Sequence, residues 1–337
     1  AQGVKDFKLY ISNRAHLILP YHLDLDGSFE TLLGKGKIGT TKKGIGPAYS
    51  DKASRFGIRM GDLLIKEYLK ERLEEVLPIK NHELKSLGLK EYDLESLYQS
   101  LVEIGEYLKP FITDTARLIN KLYDEGKTLL FEGAQGMMLD IDRGTYPYVT
   151  SSSPNSNYAC QGSGLSPRKI DKVVSICKAY TTRVGEGPFP SELNNELGNQ
   201  IREKGHEYGT VTKRPRRVGY LDLVLVKRNL IQSGSTSIAL TLFDVLSDIS
   251  DLKICIGYEL NGDIIDYIPS TIYEYDRCKP VYKDMKSFHI DENVTSFNDL
   301  PNEAKEYIRF IEDFTGVKVS ILSIGKDRKK TLLLGEI

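Results

Sequence analysis

The stretch PNEAKEYIRFIEDFTGVKVSILSIGKDR, residues 301–328, decides the fold class. Its Ala304, Tyr307, Ile308, Ile311 and Phe314 recur at helical spacing and predict an amphipathic helix. Gly316 ends that helix, because glycine takes the left-handed cap conformation without a Cβ penalty. The apolar run VKVSIL (317–322) follows at once as a strand and opens into the polar SIGKDR. Helix, buried strand and polar loop together are the repeating pattern of an α/β protein. Working outward, TSIALTLF (236–243) predicts another strand, leading into DVLSD. DKVVSICKAY (171–180) contains either a strand or a buried helix, leading into TTRVGEGPFP. KTLLF (127–131) predicts a buried strand that runs into EGAQG. Ligands of open α/β sheets bind beyond the carboxyl ends of the strands. EGAQG, FDVLSD and SIGKDR are therefore candidates for one shared cleft.

The remaining chain is read the same way. KLYIS and HLILP, within residues 1–25, are of strand length. GKGKIGTTKKGIGP (34–47) holds five glycines and predicts a loop. Residues 61–125 read as mostly helical, with Leu94, Leu97, Tyr98, Leu101 and Leu108 on one face, Asp93 as N-cap and Gly126 as a stop. IGYELNGDIIDY (256–267) predicts a hairpin turning at Asn261-Gly262. We find no internal repeat.

Composition limits the function. The 337 residues are enough for a large core, and 46 basic residues balance 47 acidic ones. That balance argues against a protein that coats nucleic acid. No apolar run approaches the roughly 20 residues that span a membrane, and AQGVKDFKLYIS lacks a secretory pattern. The expected location is cytoplasmic. Cys160, Cys177, Cys255 and Cys278 form no CxxC pair, so reduced thiols are expected. His16, His22, His82, His206 and His289 are scattered and read as surface or core residues.

Four motifs carry chemistry. GTTKKGIGPAYSDKASR (39–55) combines glycines, hydroxyls and bases; its N–H groups can cup an oxyanion, though it lacks the Walker spacing. In FEGAQGMMLDIDRGTYPYVTSSS (131–153), the Gln135 amide can donate and accept at a purine edge, and the hydroxyls suit phosphate or ribose. Asp140 and Asp142 there read either as a metal pair or, more commonly, as exposed loop carboxylates. GTVTKRPRR (209–217) suits a small carboxylate or phosphate ligand, since arginine pairs with either through a planar fork. Asp244, just past an apolar strand, can accept from guanine N–H groups or simply cap the next helix.

Taken in order, GTTKKGIGPAYSDK, FEGAQG, LDID, GTYPYVTSS, TRVGEGPFPSEL, EYGTVTKRPRRVGYLD and SIGKDR closely resemble the signatures of the adenylosuccinate synthetase family. The resemblance covers nearly the whole chain. It implies a P-loop-NTPase-like, mostly parallel central sheet with helices on both faces, plus helical and small antiparallel β subdomains. It implies one large domain over 1–337, with a mostly helical subdomain at 61–125 and a hairpin-containing insertion at 251–300. The implied reaction joins IMP and L-aspartate at the expense of GTP, with magnesium, in a cytoplasmic homodimer. GTP phosphorylates the IMP 6-oxygen, and the aspartate amine then displaces phosphate. By matching motifs, Thr41, Arg55, Gln135, Thr150 and Arg214 would bind IMP, with Gln135 stabilising the 6-oxygen and Arg55 reaching the partner subunit's site. Thr210, Val211, Thr212, Arg214 and Arg216 would hold aspartate. Arg216, Leu242, Asp244, Ser323 and Gly325 would bind GTP.

The sequence also departs from that family. Its opening GDEGKGK phosphate loop and NAGH segment have no counterpart here, so the resemblance implies a chain lacking the N-terminal phosphate-loop segment. The catalytic base, the catalytic acid and the metal ligands would then lie outside it. The first sheet strand would be missing too, exposing a strand edge. The alternative reading is an inactive chain that binds IMP and aspartate and dimerises. Leu242 stands where the family usually has lysine, Lys213 where it has glycine, and Lys326 where it has proline.

Overall fold

A computed structural model describes residues 7–34, 39, 41–209 and 213–335. The chain divides into two compact units, residues 1–169 and 170–337.

In the first unit, a two-residue strand β1 (Ile11–Ser12) pairs in parallel with β2 (Ile112–Thr113). HLILP is not a strand. It leads into helix α1 (Pro20–Leu32), because Pro20 at the first helical position has a pre-set φ and no N–H to leave unpaired. The loop predicted over 34–47 gives way at Ile45 to helix α2 (Ile45–Ser54), whose Pro47 sits in the first turn for the same reason. The helical reading of 61–125 is met by α3 (Lys66–Ser86), α4 (Leu94–Leu108) and α5 (Thr115–Asp124). Asp93 caps α4 by accepting from Ser96 N at 2.9 Å, and Gly126 follows α5 with φ +73°. Leu25, Leu69, Leu73, Leu84, Leu97 and Leu101 pack into one core. Helix α6 (Asn157–Ser163) lies near the end of this unit.

KTLLF departs from expectation. Residues 127–131 belong to no strand, and Leu130 is 92% exposed. An apolar run becomes a strand only where a neighbour satisfies its N–H and C=O groups. Among the described residues none pairs with it.

The second unit carries the parallel sheet. Its strands are β3 (Val174–Lys178), β7 (Ser237–Thr241), β11 (Val319–Ser323) and β12 (Thr331–Leu333), in the spatial order β12-β11-β7-β3. β3, β7 and β11 run parallel, so their carboxyl ends lie along one edge; β12 is antiparallel. Between β3 and β7 come β4 (Thr181–Arg183), helix α7 (Glu196–Gly205), β5 (Arg217–Gly219), β6 (Leu221–Asp222) and helix α8 (Leu223–Ser233). A second sheet joins β6, β8 (Leu252–Leu260), β9 (Asp263–Ile265) and β10 (Lys279–Met285). β8 and β9 form the expected hairpin, with φ of +54° at Asn261 and +94° at Gly262, both positive as a tight two-residue turn requires. A one-turn helix α9 (Ile272–Tyr275) follows. The expected last helix is α10 (Asn302–Thr315), which buries Ala304, Tyr307, Ile308 and Ile311 and ends at Gly316. Its apolar face packs with Val218, Ile238, Leu240, Phe243 and Leu322. Among the described residues, no helix is long and apolar enough to cross a membrane.

Candidate functional site

In the first unit, Gln135 holds a left-handed backbone, φ +65°, which turns its amide toward a hydroxyl cluster. Its Nε2 donates to Thr150 Oγ1 at 3.2 Å, and its Oε1 accepts from Ser152 Oγ at 3.2 Å. Ser152 thereby fixes which face of the amide donates. Sequence reading offered the run of hydroxyls but did not single this one out. Asp140 is not an exposed loop carboxylate. It is buried, and its Oδ1 accepts from the N–H groups of Asp142 and Arg143, both at 3.0 Å. It shapes the loop that presents Thr150.

Thr41 is exposed on the glycine-rich segment. Two carboxylates one helical turn apart on α1 bind that segment's backbone. Glu30 Oε1 accepts from Gly39 N at 2.6 Å, and Asp26 Oδ2 accepts from Gly44 N at 2.9 Å. A Cβ added to Gly46 would stand 3.6 Å from Ser151 Oγ, so the start of α2 lies against the Thr150 loop. Arg55 closes α2 with φ +67°; Arg72 Nη2 donates to its carbonyl at 3.1 Å, and its side chain is exposed. Helix α2 is held from below by a buried chain. His22 Nδ1 accepts from Leu19 N at 2.8 Å, which leaves the proton on Nε2 for Asp51 at 2.9 Å. Asp51 in turn meets Lys80 at 2.5 Å. Burial alone would raise the Asp51 carboxyl, but its bonds to His22 and Lys80 hold it below the usual carboxylate range.

In the second unit, FDVLSD and SIGKDR leave adjacent parallel strands at the same end of the sheet. EGAQG belongs to the first unit. Asp244 is half-buried, and burial pushes its carboxyl above the usual range, against the nearby Lys326 ammonium. Its Oδ1 is buried with no hydrogen-bond partner among the described residues. Such an oxygen costs free energy unless a donor arrives. Ser323 Oγ donates to Gly325 O at 3.1 Å, shaping the strand end alongside. Leu242 adopts φ +57° and packs against the core.

Thr210, Val211 and Thr212 lie outside the described residues. The basic run beside them is divided in its roles. Arg217 is structural: its fork bonds Glu192 at 2.7 and 2.6 Å and the Gly187 carbonyl at 2.7 Å, tying down the VGEGPFP loop. Arg214 is exposed. Arg216 Nη1 meets Glu207 at 2.6 Å, and its Nε is buried without a partner among the described residues. Glu207, missed in the sequence, is 1% exposed and also accepts from Lys178 at 2.5 Å and Tyr180 at 2.7 Å. Burial alone would raise its carboxyl; these three donors hold it below the usual range, hence charged. The only hint in the sequence is an acid two residues before a loop full of bases.

Among the described residues no three His, Cys, Asp or Glu side chains converge on a metal. The described residues alone therefore do not make up a magnesium site.

On an α/β fold, the first unit thus holds an aimed amide among hydroxyls, and the second holds one unmet acceptor past a parallel strand and a braced arginine, groups suited to polar, anionic ligands. A family model of adenylosuccinate synthetase matches residues 1–332. The chain is 50% identical to the adenylosuccinate synthetase of Ligilactobacillus salivarius, over 99% of this chain and 78% of that protein. It is 48% identical to that of Streptococcus gordonii, over 100% and 79%. The fully ligated adenylosuccinate synthetase of Plasmodium falciparum superposes with a TM-score of 0.91 at 37% identity, over 97% of this chain and 78% of that one. The chain belongs to the adenylosuccinate synthetase family. It is a GTP-dependent ligase of purine biosynthesis, joining IMP and aspartate.

Proposed function

We propose the following division of labour for that reaction. Thr41 and Thr150 bind the IMP phosphate, and Gln135 donates to the 6-oxygen as it gains charge on loss of the N1 proton, before that oxygen attacks the γ-phosphate of GTP and releases GDP. Phosphorylation turns a poor leaving group into a good one, and the aspartate amine then expels phosphate. A donor aimed beforehand at the developing charge stabilises the transition state without reorganising. Ser152 supports this role, because it keeps the Gln135 carbonyl oxygen turned away. Thr210, Val211, Thr212, Arg214 and Arg216 hold aspartate, and Arg214 also meets IMP. Arg216, Leu242, Asp244, Ser323 and Gly325 bind GTP. The protein works as a cytoplasmic homodimer with magnesium, and Arg55 serves the partner subunit's site.

The observation that carries the nucleotide assignment is the unpartnered, buried Asp244 Oδ1. Guanine offers two adjacent donors, the ring N–H and the exocyclic amine, that match one carboxylate. Asp244→Ala should raise KM for GTP by roughly ten- to a hundredfold, as expected for hydrogen bonds to a charged group. KM for IMP should stay unchanged. Steady-state kinetics with each substrate varied in turn checks this. An unaltered KM for GTP would remove Asp244 from the nucleotide site.

A further inference from the structure

The loop between α7 and β5 is closed at its base around Glu207. Glu207 follows His206, the left-handed cap of α7, and its N–H donates to Arg202 O at 2.9 Å. Its own carbonyl accepts from Arg216 N at 2.8 Å. Its carboxylate accepts from Arg216 Nη1 at 2.6 Å. Further up, Gly209 N donates to Arg214 O, and Lys213 N to Gly209 O, both at 2.9 Å. Backbone and side chain of one residue thus grip both the main chain and the guanidinium of Arg216.

The grip is stiff because the carboxylate cannot turn. Its other oxygen is shared by Lys178 and Tyr180, both anchored at the end of β3. Burying a charged network costs desolvation that an apolar isostere would avoid, so fold stability alone gives a weak reason for it. Directional control gives a stronger one. With Nη1 committed to Glu207, the Nε–Nη2 edge of Arg216 is the remaining fork. A fork of that kind takes a carboxylate through two parallel hydrogen bonds.

We propose that Glu207 is a positioning residue for the aspartate step, holding Arg216 so that its Nε–Nη2 fork meets a substrate carboxylate. The proposal rests on the reading of Arg216 as an aspartate ligand. Three variants of the whole natural protein test it: Glu207→Gln, Arg216→Ala and the double variant. Glu207→Gln should raise KM for aspartate about tenfold or more and leave KM for IMP within about twofold, because the loss is local to one fork. In the Arg216→Ala background, Glu207→Gln should add nothing further to KM for aspartate. A purely structural role would move all KM values or the thermal midpoint instead. Should Glu207→Gln not fold, Glu207→Asp replaces it: the shorter carboxylate keeps the charge but draws the fork away, with the same expected shift. The proposal is overturned if neither variant changes KM for aspartate, or if the two lesions multiply independently. If Arg216→Ala itself leaves KM for aspartate unaltered, the underlying ligand assignment fails instead.

Discussion

Lys42, Arg55, Gln135, Lys213 and Leu242 all hold a left-handed backbone without being glycine, with φ between +54° and +67°. All five fall in segments that the motifs single out. Strain of this kind persists where the surroundings over-determine it, and it gathers at functional sites. At Lys213, φ +54° explains why glycine usually stands there. Asp222 shows strain of another sort. It is fully buried, caps α8 through Leu225 N at 3.1 Å, and accepts from Tyr258 Oη at 2.6 Å. Burial pushes its carboxyl up to about 6. The folded value lies above the unfolded one, so the stabilisation is complete below about pH 4 and fades as pH rises through about 6. Between about pH 5 and 7.5 this amounts to about 1.4 kcal/mol of lost stability. Asp222→Asn should flatten that part of the curve in urea unfolding at the two pH values. Equal slopes for both proteins would show that Asp222 does not titrate there.

At the scale of elements, α2 joins a stabilising anchor to a destabilised tip. Its root is the buried His22–Asp51–Lys80 chain, and its tip is Arg55 in the conformation that helix ends usually give to glycine. An arginine there costs about 1 kcal/mol relative to a residue without a Cβ. Arg55→Gly should therefore raise the stability of the protein by about that amount while lowering adenylosuccinate formation. Denaturant titration beside an activity assay reads both; a loss of stability would contradict the strain argument. Caps and turns were legible in advance because they are local. Asp93, Gly126, Gly316 and the Asn261-Gly262 turn each act within a few residues of their partners. HLILP was misread because it has the apolar content of a strand, and the signal that outweighed it was Pro20, which opens α1.

For the molecule as a whole, the proposed dimer makes the strongest demand. If Arg55 completes the partner's site, Arg55→Ala and Gln135→Ala are each inactive alone, yet a mixed dimer carries one site with neither lesion. Co-expression should then restore about one-quarter of the native activity, from random pairing in a two-fold symmetric dimer. No recovery would place Arg55 in its own subunit's site or in none. The sheet of the second unit adds a further feature at this scale. Among the described residues β3 is the end strand, and its Ile176 is 79% exposed, an apolar side chain at a sheet edge.

By itself, the sequence determined the order of helix and strand from Asn302 to Ser323, the hairpin of β8 and β9, the caps, and the segments that carry the chemistry. These follow from side-chain periodicity and from backbone preferences that act over one or two turns. Tertiary structure alone decided that KTLLF joins no strand among the described residues, that Arg217 is tied to Glu192, and that Glu207 braces Arg216. Each of those outcomes depends on whether a donor or acceptor far along the chain comes within reach. Glu207 and Lys178 stand 29 residues apart, as do His22 and Asp51. A buried polar group is stable only when such a partner is present, and that is settled by packing rather than by neighbouring residues.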